Sequence, residues 1–135
     1  MHGIFTQDHF LIRSELKRTF LFASQIKEQM AIVISLQGIP PYKQTPANKN
    51  ERIAQKERRE ALRTKAREIC KSPRNDCVSL DIVYWRDKGR ADPANIIGGI
   101  ADALQGIVYD NDNQIKTIHY SEIEGSKDLY TVSVE

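Results

Sequence analysis

VSLDIVYWRDKGRADPANIIGGIADALQG, residues 78–106, contains a strand, a loop and a helix in succession, and its reading decides the fold. Val78, Leu80, Ile82 and Tyr84 alternate with Ser79, Asp81 and Trp85, the period of a half-buried strand. After the polar loop Arg86-Asp87-Lys88-Gly89-Arg90 the period changes. Asp92 suits an N-cap, Pro93 the first helical position and Gly106 the stop, so a helix is expected between them. Ile96, Ile97, Ile100, Ala101 and Leu104 form its apolar face. Gly98-Gly99 in mid-helix costs ~1 kcal/mol per residue against alanine, and such a pair permits close approach of another backbone.

Upstream, residues 51–70 read as the longest helix, with Ala54, Ala61, Leu62, Ala66 and Ile69 as a narrow apolar stripe and Ser72-Pro73 as its stop. Ala31–Gln37 is a continuous, β-branched run expected to be a buried strand, ended by Gly38-Ile39-Pro40-Pro41 because proline supplies no ladder donor. Ile12, Leu16, Phe20, Ala23 and Ile26 recur at helical spacing and predict a further helix within 7–28. Downstream, Ile107-Val108-Tyr109 reads as a short strand and Asp110-Asn111-Asp112-Asn113 as an acidic turn. Gln114–Glu124 and Leu129–Glu135 then read as a hairpin across Gly125-Ser126-Lys127-Asp128. The expected order is β–α–β–α–β–β–β. That is an α+β fold, a mixed β-sheet with two main helices on one face, preceded by an N-terminal helical extension.

The 135 residues suffice for one domain with a core of its own. Apolar residues at 40% and charged residues at 28% exclude wholesale disorder. No apolar run approaches the ~20 residues of a membrane-spanning helix, so no membrane partner is expected. Cys70 and Cys77 are too few for a disulfide framework, and His2, His9 and His119 are scattered, which argues against structural zinc and for a cytoplasmic protein. The net charge of +2 conceals an asymmetry: residues 43–74 hold eleven Lys/Arg against four Asp/Glu, and residues 75–135 five against eleven. A basic middle beside an acidic end suits a track for a polyanion next to a cation-holding carboxylate site. A solvated helix followed by acidic loops has the same composition.

Three carboxylates stand where chemistry is possible. Asp92 lies at a loop-to-helix junction, and Asp110 and Asp112 lie in a turn before a strand. Carboxylates converging from such element ends can hold Mg²⁺, which takes one or two carboxylates plus waters and phosphate oxygens. A plain helix cap and a plain polar turn fit the same residues. The chain has no Gly-rich phosphate loop, no GxSxG elbow and no HExxH pair. Cys70 reads as a helix-end packing residue.

Gly89-Arg90-Ala91-Asp92-Pro93-Ala94-Asn95-Ile96, then Asp102-Ala103-Leu104-Gln105-Gly106, then Tyr109-Asp110-Asn111-Asp112-Asn113-Gln114-Ile115, resemble the RusA-like Holliday junction resolvases. Pro40-Pro41-Tyr42-Lys43-Gln44 resembles the loop that follows the opening strand of that family. The four blocks keep the order and spacing of the family over about residues 30–135. The resemblance implies a homodimer that cuts branched or four-way DNA with Mg²⁺. It implies Asp92 and Asp112 as catalytic metal ligands, Asp110 as a third ligand and Asn95 as the residue that orients the site. Two positions depart from the pattern: Ala94 stands where the family has a second aspartate, and Gly98 where it has a lysine. A relative that binds nucleic acid without cutting it is therefore the alternative, and an interaction module without nucleic acid is a third. Lys43, Arg52, Lys56, Arg59, Arg63 and Arg90 are the expected phosphate contacts. Residues 1–29 lie outside the resemblance and 30–135 form the expected domain, so a chain starting at Met30 is expected to fold and dimerise alone.

Overall fold

The computed structural model describes residues 31–135, and the helix expected within 7–28, with the extension 1–29, lies outside them. Four strands form one sheet: β1 (Ile32–Gln37), β2 (Val78–Arg86), β3 (Ile115–Glu124) and β4 (Leu129–Val134). Two helices accompany it, α1 (Lys49–Ile69) and α2 (Pro93–Leu104), with a 3₁₀ turn at Asp112–Gln114 before β3. The order across the sheet is β1-β4-β2-β3. β4 is antiparallel to both β1 and β2, whereas β2 and β3 run parallel, so the sheet is mixed as expected.

Burial explains the order. Val78, Leu80, Ile82 and Tyr84 of β2, and Tyr130, Val132 and Val134 of β4, are all buried, so both strands belong in the middle. β3 buries no residue fully and takes an edge. The parallel β2–β3 pair requires a crossover, and α2 is that crossover. These strand residues share one core with Ile32 and Ile34 of β1, Leu62 and Ala66 of α1, and Ile96, Ile100, Ala103 and Leu104 of α2. Each fully buried aliphatic side chain contributes about 1.5–3 kcal/mol. The stripe on α1 is narrower than expected, because Ala61 and Ile69 are exposed.

Two expectations are corrected. β3 and β4 do not form a hairpin, since β2 lies between them. The link 125–128 crosses the end of β2: Gly125 N–H bonds the Arg86 carbonyl at 2.9 Å, and Gly38 N–H at the end of β1 bonds the Asp128 carbonyl at 2.8 Å. A turn signal shows that the chain reverses, but not which strand it returns beside. Ile107-Val108-Tyr109 is not a strand of the sheet either. It forms turns after Gly106, whose φ is +83°, and Tyr109 makes only isolated bridges to Arg74 and Gln105. All three side chains are buried at the end of α2, and the Tyr109 hydroxyl donates to the Ala101 carbonyl at 2.5 Å. A three-residue apolar run does not distinguish a strand from a buried turn.

Candidate functional site

Asp92 caps α2 as its position before Pro93 predicts. Its Oδ1 accepts the Asn95 N–H at 2.8 Å and its Oδ2 accepts Asn95 Nδ2 at 3.3 Å. Each carboxylate oxygen keeps a free lone pair, and Asp92 is exposed. The loop that delivers Asp92 is fixed from two sides. Arg86 donates to the carbonyls of Gly89 at 2.8 Å and Ala91 at 2.9 Å, and pairs with Glu122 of β3 at 2.7 Å. That pairing holds the Glu122 carboxyl below its usual range. From the other side Asp128 accepts the N–H groups of Asp87 at 3.1 Å, Lys88 at 3.0 Å and Gly89 at 3.2 Å, together with the Tyr84 hydroxyl. Burial pushes the Asp128 carboxyl up, but the Tyr84 hydroxyl and the three N–H donors outweigh it and bring its pKa to about 2.

The expected close approach at the glycine pair is present. A Cβ at Gly99 would lie 2.6 Å from the carbonyl carbon and oxygen of Pro41 and closer still to Tyr42 Cα, so only glycine lets the Pro-Pro loop rest on α2. One residue on, the Lys43 N–H donates to the Asn95 carbonyl at 3.0 Å. Tyr42 anchors the same loop to α1, donating to Glu51 Oε1 at 2.5 Å while Arg58 reaches both.

Asp110 and Asp112 occupy the opposite end of the sheet. Asn111 Oδ1 accepts the Asn113 N–H at 3.0 Å, and Gln114 Oε1 accepts the Asn111 N–H at 2.8 Å. Gln114 Nε2 then donates to the carbonyls of Arg74 and Asp76, both at 2.8 Å, and pins the turn beside the start of β2. Because β2 and β3 are parallel, this turn precedes Ile115, the partner of Val78, whereas Asp92 follows Arg86, the partner of Glu124. The length of β2, roughly 26 Å at 3.3 Å per residue, separates the two ends. Asp92 and Asp112 therefore stand toward opposite ends of the sheet within one chain. Among the described residues no three His, Cys, Asp or Glu side chains form a metal-holding group.

The expected cations divide into three sets. Lys43, Arg52, Lys56 and Arg59 line one groove between the Pro-Pro loop, α1 and α2, with Gly99 and Asp102 on its far wall. Arg52, Lys56 and Arg59 fall at helical spacing on one face of α1, and Arg59 pairs with Asp102 at 3.4 Å. Arg90 lines a second groove with Gln44 and Asn48. Arg63 belongs elsewhere: its guanidinium donates to the carbonyls of Ala103 at 2.8 Å and Gln105 at 3.3 Å, closing the C-terminus of α2. Asp102, Arg86 and Asp128 position the site and were not singled out by sequence. The Asp-Ala-Leu block contained the only available signal, and that for Asp102 alone.

Among the described residues no helix is long and apolar enough to cross a membrane. The family model described as endodeoxyribonuclease RusA matches residues 22–135, beginning upstream of the boundary expected at residue 30. No curated protein matches the chain.

Proposed function

The chain belongs to the RusA endodeoxyribonuclease family, and from that premise we propose that it cuts branched DNA, four-way junctions above all, by metal-assisted phosphodiester hydrolysis. The family is one of Holliday-junction-resolving endonucleases, generally dependent on a divalent metal. The observation that carries the reading is a coincidence along α2: an exposed carboxylate with free lone pairs caps its N-terminus, and about two helical turns on Gly99 lines a groove with four cations. The cations track the phosphate backbone without reading sequence, and the carboxylate addresses a phosphate held in that track.

The donors at this end fit a hard cation such as Mg²⁺, which needs few carboxylates when waters and phosphate oxygens complete its shell. Asp92 would hold it, with the Asn95 amide keeping the carboxylate in place. When bound, the metal polarises the scissile phosphate and generates hydroxide from water. Asp112 and Asp110 stand too far along the same chain to join Asp92, so their part in the site is in a second copy. The chain works as a homodimer in which the turn of one copy faces the α2 N-terminus of the other. Two such sites related by a two-fold axis suit a junction with two strands to cut.

The test is complementation. Asp92→Asn and Asp112→Asn should each abolish cutting of a four-way junction in Mg²⁺. Mixed after joint refolding, they should recover part of it, because each mixed dimer regains one intact site. Inactivity of the mixture, with both variants folded and wild type active, contradicts the shared site. The second reading, a junction binder that does not cut, is favoured by Ala94 at the position of the family's second aspartate. It predicts a gel shift with no product from wild type at any Mg²⁺ concentration.

A further inference from the structure

Lys43 differs from the other groove cations in how it is held. Arg52, Lys56 and Arg59 project from α1, and Arg59 is already paired with Asp102. Lys43 instead projects from the Pro-Pro loop, and its backbone N–H is bound to the Asn95 carbonyl in the first turn of α2. Its side chain then runs over Gly98. A Cβ built there would lie 3.3 Å from Lys43 Cδ, 3.7 Å from Cγ and 3.9 Å from Cε. Position 98 and the stem of Lys43 thus compete for one space, and the missing side chain of Gly98 is what leaves room for it. The ammonium forms no ion pair or hydrogen bond with any described residue.

We propose that Lys43 is a catalytic residue, supplying from the Pro-Pro loop the ammonium that position 98 lacks and stabilising the charge that develops on the phosphate addressed by Asp92. The proposal rests on the nuclease reading and deepens it. Three features of the structure converge on it: the anchor at Asn95, the stem on Gly98 and the unengaged ammonium. A cation placed in advance where phosphate charge grows lowers the barrier more than it tightens ground-state binding. A tracking cation does the reverse. Lys43 moves no proton and forms no bond in this role; it holds a positive charge against the non-bridging oxygens while the attacking water oxygen bonds phosphorus and the P–O bond to the leaving strand breaks.

The experiment compares junction cutting and junction binding for the full-length wild type, Lys43→Gln, Lys43→Arg and the double variant Lys43→Gln with Gly98→Lys. Cutting by Lys43→Gln should fall about 100-fold, the loss seen when one preorganised transition-state donor is removed. Its junction affinity should fall by less than about tenfold, as for one phosphate contact. Lys43→Arg should keep most of the cutting, and Gly98→Lys should restore it in the double variant by about tenfold or more. Cutting and binding that fall in parallel in Lys43→Gln, with no restoration by Gly98→Lys, overturn the proposal and leave Lys43 a tracking cation. So does a Lys43→Gln chain that cuts like wild type. A wild type that binds the junction and never cuts it overturns the nuclease reading, and this proposal with it.

Discussion

Asp128 shows how one side chain fixes a functional loop from outside it. With four donors converging on its carboxylate, Asp128→Ala should lower stability by about 2 kcal/mol, read from denaturant melts. Its pKa of about 2 lies below the ordinary 3.8, so its contribution is present above pH 3.8 and is lost as pH falls toward 2. Wild type should therefore lose stability across that window more steeply than Asp128→Asn, and parallel acid limbs for the two proteins would show that the carboxylate is not so held. Gly99→Ala is the complementary case: a methyl there meets the backbone of Pro41 and Tyr42, and the expected cost is about 1–3 kcal/mol. Gly98→Ala meets only the flexible stem of Lys43 and should cost less than that. The glycine pair was legible in the sequence as a close approach. Which backbone approaches was not, because Pro41 lies more than fifty positions away along the chain.

Elements whose ends carry their own chemistry were read correctly. Asp92-Pro93 and Gly106 bracketed α2, and the helix expected over 51–70 and stopped by Ser72-Pro73 matches α1 to within two residues. Pairings were misread where the signal was local and the answer was not. The turn at 125–128 is real, but β4 returns on the far side of β2, since β2 and β4 carry the side chains that need burial on one face. The same limit governs the site. Asp92, Asp110 and Asp112 were singled out as candidates, whereas their distribution between opposite sheet ends follows from the parallel β2–β3 pair, which no motif encodes. On α1 the cations separate by function. Arg52→Ala and Lys56→Ala should weaken junction binding for all sequences and reduce the salt slope of log K by about one each. Arg63→Ala should leave that slope unchanged and lower the melting temperature, because its guanidinium closes α2. An unchanged melt with a reduced slope would return Arg63 to the DNA surface.

At the scale of the whole molecule, the residues from Ile32 to Glu135 form a compact unit. We expect a chain from Met30 to Glu135 to express as a soluble protein with a single cooperative melt, since every core residue named above lies within it. A truncated chain that aggregates or melts without cooperativity would assign residues before Met30 to the fold, consistent with the family match that begins at residue 22. The proposed dimer should be visible by light scattering at micromolar concentration. A monomer there removes the two-copy site, and with it the explanation of how Asp112 serves Asp92. The most direct test of the nuclease reading is the cutting of a synthetic four-way junction by wild type and Asp92→Asn, with Mg²⁺ and with chelator. Paired nicks in opposite strands should form with wild type in Mg²⁺, and no product should form in chelator or with Asp92→Asn. Uncut junction under all conditions, or equal products from Asp92→Asn, would contradict it.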